Sequence, residues 1–136
     1  MLKKSRIQFE NPELKKLFFQ ENLDFDTNGY EGIKLAGNTR IRKNVENNSA
    51  KVQFNLAIGE KDKKFPFSLV IEMESEFVWE EEMSDQDVND LLKINAPSLL
   101  LGYMRPIVAN ITGMTKYPAF NIPFLDMREN EAEFEE

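Results

Sequence analysis

The side chains that could carry out chemistry in this chain are almost all carboxylates, because its 136 residues include no histidine and no cysteine. Without histidine the chain lacks the commonest general base and the commonest transition-metal ligand. Without cysteine it has no thiol nucleophile and no disulfide framework. The closest acidic spacing in a loop is Asp24, Asp26 and Asn28, but a calcium loop also needs a bidentate acid at its twelfth position, which this loop lacks. The sequence therefore predicts a protein that is not an enzyme and has no cofactor or metal.

The charge balance of the chain narrows its possible partners. The 24 acidic residues outnumber the 17 basic ones, and the net charge is −7. Such a chain is a poor match for a nucleic-acid backbone or an anionic membrane surface. No apolar run approaches the length of a membrane span, and the N-terminal residues lack the apolar region of a secretory signal. Together with the missing cysteines, these features predict a cytoplasmic protein.

One long apolar block, Ala96–Met127, stands out in a polar chain. In its first half, apolar residues recur every three or four positions, which predicts a helix that begins near Pro97 and is covered on more than one side. Pro106 lies inside this pattern and predicts a kink or a break near Met104–Arg105. Pro118 and Pro123 then favour an extended path.

The remaining segments must form the layer that this helix covers. Alternating apolar residues predict strands over 5–9, 33–45, 51–58 and 65–79, and a capping serine, Ser84, predicts a shorter helix that stops near Asn95. Another short helix is predicted over 12–21, followed by a loop over 22–32 and a charged turn over 59–64. The fold class is therefore α+β, with a four-stranded antiparallel meander covered on one face by helices. Residues 1–127 are expected to form one domain, and the acidic tail 128–136 is expected to be disordered.

The apolar block resembles the end of the globular domain of the SecB family of bacterial protein-export chaperones. The family pattern is a small residue, proline, an apolar run, tyrosine, arginine and apolar helix, and it closes with an aromatic residue, proline, asparagine and a second proline. The matching residues are Ala96, Pro97, Leu99–Leu101, Tyr103, Arg105, Ile107–Ile111, Tyr117, Pro118, Phe120, Asn121, Ile122 and Pro123. The N-terminal run Ile7–Pro12 and the pieces Val52–Gly59 and Phe65–Trp79 are also similar to elements of the family.

The resemblance implies an ATP-independent holdase that binds unfolded or precursor proteins for export. Family members share a four-stranded antiparallel sheet backed by helices, assemble as a homotetramer (a dimer of dimers), and present apolar grooves to their clients without a cofactor. Aromatic and methionine side chains suit a promiscuous groove because they repack against varied sequences. The candidate client-binding residues are Phe77, Trp79, Tyr103, Met104, Tyr117 and Phe120. Taken alone, an apolar residue at this periodicity is more often an ordinary core residue than a client contact.

The family also delivers its clients to the SecA motor ATPase, which docks on an acidic outer face of the sheet. The candidate docking residues here are Glu10, Glu72 and Glu74, and the acidic tail could contribute. The chain departs from the family pattern at Arg6 and Val70, where acidic residues are expected. Glutamates on a strand more often form a plain solvated face than a docking face, and the sequence favours the solvated face here.

Two alternatives to a general holdase remain open. The first is a SecB-like chaperone dedicated to one client, such as the antitoxin of a toxin–antitoxin pair. The second is a structural oligomer with no client groove, in which the surplus apolar surface is buried between subunits.

Overall fold

The computed structural model of the chain describes residues 1–29, 32, 34–59 and 64–135, in which one β-sheet carries helices on a single face. The strands are β1 (Ile7–Phe9), β2 (Glu13–Glu21), β3 (Leu35–Asn44), β4 (Ser49–Ile58), β5 (Phe67–Trp79) and β6 (Glu131–Glu135). Their order in the sheet is β1-β5-β4-β3-β6, and β2 also pairs with β5. The helices are α1 (Asp85–Asp90), a π-helical segment (Leu91–Asn95) and α2 (Ala96–Thr112), with 3-10 turns at Thr27–Gly29, Val45–Asn47 and Met127–Glu129.

Strands β3, β4 and β5 form the antiparallel meander that the sequence predicts. Every second residue of β4 and β5 is buried against the helices, because successive side chains of a strand point to opposite faces. Pro66 precedes the first residue of β5, so its missing N–H leaves no gap in the ladder. Parts of the sequence-predicted segments lie outside the described residues: positions 30 and 31 of the loop, Ile33 of the second strand, positions 60–63 of the charged turn and position 136 of the tail.

The helix predicted over 12–21 is wrong, because these residues form strand β2 along the edge of β5. Leu14 and Leu17 are three positions apart, which is typical of a helix face. In the structure a register shift between Leu14 and Lys16 brings both leucines to the helix-covered face of the sheet, opposite Met73 and Ile71. The bulge therefore produces a helical spacing in a strand.

The acidic tail also differs from its predicted disorder, because Glu131–Glu135 forms β6 parallel to β3. The sheet is consequently six-stranded and mixed rather than four-stranded and antiparallel. Arg40 Nε lies 2.6 Å and Arg42 Nη2 lies 3.4 Å from the carboxylate of Glu135. Asn130 Nδ2 donates to Thr39 Oγ1 at 2.6 Å, just before the strand begins. These contacts offset the repulsion within a run of glutamates.

We expect the β3–β6 pairing to weaken as the pH falls below 4.5, the ordinary pKa of glutamate. The hydrogen bond from Arg40 lowers the pKa of the Glu135 carboxyl. A carboxyl with a lowered pKa stabilises the fold above its ordinary pKa, and this contribution is lost as the pH falls through the lowered value. The separation of β6 from β3 can be measured from the amide chemical shifts of residues 131–135 between about pH 7 and about pH 3.

The control for this titration is Glu135→Gln, which keeps the shape of the side chain and removes its charge. The groups that face Glu135 are Arg40 and Arg42 on β3 and Glu133 on its own strand, with Lys51 of β4 opposite Arg42. We expect the variant to show weaker tail pairing at neutral pH and a smaller change on acidification. If the pH midpoint of the chemical-shift change is the same in the variant as in the wild type, the transition belongs to other carboxyl groups.

The helical layer is one continuous run from Asp85 to Thr112, so the chain neither ends a helix near Asn95 nor breaks α2 at Pro106. Ser84 caps the run as expected, since its hydroxyl accepts a hydrogen bond from Asp87 N at 3.2 Å. At the predicted first break the backbone widens into the π-helical segment, where Ala96 N donates to Leu91 O. Pro97 has no N–H to donate to Lys93 O, so an α-helical hydrogen bond is missing there, and one residue further on Ser98 Oγ donates to Ile94 O at 2.9 Å.

Pro106 does not break α2 because the carbonyl that it leaves without a donor belongs to Gly102. Both residues lie on the exposed side of the helix, where water can hydrate that carbonyl. None of the helices among the described residues is long and apolar enough to span a membrane. The opposite side of the run packs on the sheet through Val88, Leu92, Ala96, Leu100, Leu101, Met104 and Val108.

Candidate apolar binding site

An open apolar pocket of about 310 Å³ lies where the start of β5 meets the segment that follows α2. Three stretches of chain contribute its walls: the loop after β2, the approach to β5, and the residues after α2. The lining residues are Phe25, Thr27, Phe65, Pro66, Phe67, Tyr117, Pro118, Ala119 and Phe120. None of these side chains carries a charge at neutral pH, so the pocket suits apolar binding rather than acid–base chemistry.

The pocket wall after α2 is held by side chains of the helix itself. The guanidinium of Arg105 donates to the backbone carbonyls of Ile122 and Pro123, the latter at 3.0 Å. Thr112 Oγ1 accepts a hydrogen bond from Phe120 N at 2.7 Å and donates to Val108 O at 2.8 Å. The arginine and the prolines of the family-like pattern are therefore parts of one clamp, which keeps an extended segment against the helix.

The aromatic rings of the pocket pack edge to face. Phe120 lies with its ring centroid 6.3 Å from that of Phe65 and 6.0 Å from that of Phe67. Phe25 and Tyr117 form a second edge-to-face pair at 5.9 Å. Such pairs fix ring orientations. Phe65 and Phe67 are buried beneath the pocket, whereas Phe25, Tyr117 and Phe120 are partly exposed.

Two of the six sequence-predicted client residues, Tyr117 and Phe120, line this pocket, and the other four lie outside it. Tyr103 is 44% exposed on α2 and contacts Phe9, with the ring centroids 6.1 Å apart. Trp79 is half-buried at the end of β5. Phe77 and Met104 are buried in the core, so they are not accessible in this conformation. In the sequence, both residues fall on an apolar stripe of their strand or helix, and such positions are usually buried.

Three pocket aromatics were not among the predicted residues: Phe25, Phe65 and Phe67. Phe65 and Phe67 follow the alternation of β5 and have the same pattern as core residues. Phe25 lies in a polar loop, where a single aromatic residue is a weak indication of a site. The only sequence signal for it is its isolation among Asp24, Asp26 and Thr27.

The predicted acidic face is a mixed-charge surface. Glu72 and Glu74 lie on the sheet face opposite the helices, as predicted, and Glu10 follows β1. Glu74 lies 3.5 Å from Lys15 Nζ and 3.9 Å from Lys51 Nζ. Lys16 pairs in register with Glu72. The lysines reduce the negative potential that a basic partner would meet.

One carboxylate of the acidic loop after β2, that of Asp26, takes part in a turn. Asp26 Oδ1 accepts a hydrogen bond from Asn28 N at 2.9 Å. Gly29 occupies the sixth position of a loop that starts at Asp24, whereas the twelfth, Leu35, begins β3 and offers no carboxylate. Across the described residues, no group of three acidic side chains is placed to hold a metal ion.

Comparison with known proteins supports a SecB-like chain. No family model matches it. The protein-export protein SecB of Ehrlichia chaffeensis is 34% identical over 59 residues, which are 43% of this chain and 34% of that protein. SecB of Ehrlichia canis is 35% identical over 48 residues, which are 35% of this chain and 27% of that protein. The matches thus span about a third of these relatives at most.

The fold is similar to that of a SecB-like chaperone from Mycobacterium tuberculosis, solved in complex with a ChAD peptide from the HigA1 antitoxin. The TM-score is 0.70 at 13% sequence identity, and the similarity covers 88% of this chain and 91% of that one. At this identity the similarity concerns the fold. The partial sequence matches and the shared fold together confirm the resemblance to SecB or a SecB-like relative.

Proposed function

We propose that this SecB-like chain is an ATP-independent chaperone, a holdase that captures apolar segments of unfolded or precursor proteins in the cytoplasm. The observation that carries the proposal is the open aromatic pocket formed by Phe25, Phe65, Phe67, Tyr117 and Phe120. Its walls are uncharged and largely aromatic, so binding depends on the burial of apolar surface rather than on a specific set of hydrogen bonds. A holdase needs this tolerance, because its clients differ in sequence.

The size of the pocket fits one or two large apolar side chains of a client. Burying one such side chain contributes about 1.5–3 kcal/mol, so a single pocket gives weak and reversible binding. Several pockets on one oligomer would bind a long unfolded chain more tightly, because each further contact is intramolecular. A homotetramer, arranged as a dimer of dimers, is therefore part of the proposal.

The edge of the sheet formed by β2 supports such an assembly. Among the described residues, no strand pairs with β2 on the side away from β5. Leu14, Leu17 and Phe18 are exposed on this strand. An open edge with apolar side chains is prone to pair with another chain, and a subunit contact would cover it.

A chaperone dedicated to one client is the second candidate. The solved relative of similar fold binds a peptide from an antitoxin, which is a single defined partner. The pocket suits either role, since a dedicated client also supplies apolar side chains. Docking of SecA at Glu10, Glu72 and Glu74 stays a prediction, and Lys15 and Lys51 beside Glu74 weaken the electrostatic case for it.

The decisive experiment is the aggregation of an unfolded model protein with and without the chain, followed by light scattering. We expect the wild type to suppress scattering up to a saturating ratio. The variant Phe25→Ser/Tyr117→Ser should need about tenfold more protein, because removing two rings from the pocket costs at least about 1.4 kcal/mol of binding. Phe120 is left intact because its ring also packs on Phe65 and Phe67.

The matched control is Phe124→Ser, which removes a ring that is 100% exposed and lies outside the pocket lining. We expect this variant to suppress aggregation as well as the wild type does. Thermal melts establish that all variants are folded. Equal suppression by the pocket variant and the control would refute the pocket as the client site, and no suppression by the folded wild type would refute the general holdase.

A further inference from the structure

The outer edge of β3 is covered by the C-terminal strand of the same chain. Strand β6 has five residues and pairs in parallel with β3, from Asn38–Glu131 to Arg42–Glu135. Its sequence alternates three glutamates with Ala132 and Phe134. Ala132 lies opposite Thr39 and Phe134 opposite Ile41, both of which are buried on the helix side. The edge therefore accepts an extended segment of alternating acidic and apolar residues.

Basic side chains from two elements match this acidic strand. Arg40 and Arg42 contact the carboxylate of Glu135 from the sheet, at 2.6 Å and 3.4 Å. Lys93 of the π-helical segment lies 5.6 Å from the centroid of the Phe134 ring. The hydrogen bond to Glu135 raises the pKa of Arg40 above its ordinary value. Charge, ring contact and backbone pairing thus all recognise the same five-residue pattern.

The tail is held weakly for a strand of the sheet. Its glutamates Glu131 and Glu133 are exposed, and Phe134 retains 36% of its surface. Ion pairs at such exposed positions contribute little each. A short terminal strand with few buried contacts opens at low free-energy cost, so the β3 edge can become available without unfolding of the core.

We propose that the β3 edge is a docking site for an acidic, extended segment of a partner protein, which adds to the sheet as a parallel strand in place of the chain's own tail. The preferred segment has acidic residues at alternate positions, with a small residue and an aromatic residue between them. Main-chain pairing supplies affinity, Arg40 and Arg42 supply selectivity for negative charge, and Lys93 favours the aromatic residue. This site is separate from the apolar pocket, because β4 lies between β3 and the strand that carries Phe67. Its test therefore does not depend on holdase activity.

The test uses the full chain with its tail released by Phe134→Ser/Glu135→Lys, which removes the ring and reverses the paired charge. The probe is a fluorescein-labelled peptide with the sequence of residues 130–136, and binding is followed by fluorescence anisotropy at low salt. We expect the released variant to bind the peptide at least tenfold more tightly than the wild type, whose attached tail competes at a high effective concentration. A peptide with lysine in place of each glutamate should bind at least tenfold more weakly.

A second variant separates recognition by the edge from nonspecific attraction. Adding Arg40→Glu to the released variant should lower peptide affinity at least tenfold, whereas adding Lys34→Glu, before the paired residues of β3, should change it less than twofold. Equal binding to wild type and released variant, no binding to the folded released variant, or equal binding of both peptides would overturn the proposal. Protection of the wild-type tail amides from hydrogen exchange should not depend on protein concentration. If this protection rises with concentration, the proposal is overturned, because the edge then holds the tail of a second copy.

Discussion

Replacing Met104 by alanine is expected to lower the free energy of unfolding by about 2–5 kcal/mol. The side chain of Met104 is 0% exposed between α2 and the sheet. Its truncation removes apolar burial and leaves a cavity in a packed layer, and both terms destabilise the folded state. The expected result is a lower denaturation midpoint in urea with an unchanged slope.

Met114→Ala is the matched control, because Met114 follows the same helix and is 82% exposed. We expect its effect to stay within about 0.5 kcal/mol. The pair also decides the role of Met104. A Met104→Ala variant with wild-type stability and reduced client binding would contradict the core assignment and return Met104 to the client site.

Replacing Gly59 by alanine is expected to destabilise the protein by about 2–5 kcal/mol, from the left-handed backbone and the steric overlap together. Gly59 follows the last residue of β4, has φ +71° and donates its N–H to Lys34 O at 3.0 Å. A Cβ built there lies 2.3 Å from the carbonyl oxygen of Phe67 and 2.5 Å from Cδ1 of Phe65. The backbone cannot move away cheaply, because Phe67 begins β5, which is paired on both sides, with β2 and with β4.

Gly102→Ala is the control for this substitution. Gly102 lies in α2, and a Cβ built there meets nothing within 4 Å. Because alanine favours a helix more than glycine does, the free energy of unfolding of this variant should rise by about 0.5–1 kcal/mol. Two glycine-to-alanine changes of opposite sign, read from urea denaturation, would confirm the two environments. Wild-type stability of Gly59→Ala would instead mean that the turn after β4 relaxes around the new methyl group.

The meander and the long helix could be predicted from the sequence because each has a local signal. Val52, Phe54, Leu56 and Ile58 alternate as a half-buried strand must, and the apolar spacing after Pro97 is that of a helix. Strand β2 could not be predicted because a bulge gave it the spacing of a helix. Strand β6 could not be predicted because its partners, Arg40 and Arg42, lie more than ninety positions away in the sequence.

The candidate site, too, could be predicted only where its residues belong to a local sequence pattern. Tyr117 and Phe120 belong to a proline-flanked motif that is visible in the sequence, and they do line the pocket. Phe77 and Met104 share the periodicity of every other core residue, so sequence alone could not separate accessible rings from buried ones. Phe25 joins the pocket only because the chain folds its loop against Tyr117. Contacts between distant segments leave no local pattern.

The π-helical segment Leu91–Asn95 has a consequence for how this sequence can vary in length. Each residue of an α-helix advances about 100°, so the eight residues from Val88 to Ala96 would place Ala96 about 80° away from Val88 around an unbroken helix. The wider π-helical turn accommodates one extra residue, so Val88 and Ala96 lie only about 20° apart around the helix axis. Both residues are buried and face the sheet. A one-residue deletion within this segment would therefore produce an ordinary helix with both flanks still in register. The same deletion inside α2 would rotate the residues beyond it by about 100° and turn polar positions toward the core. Homologues that lack one residue should lack it here.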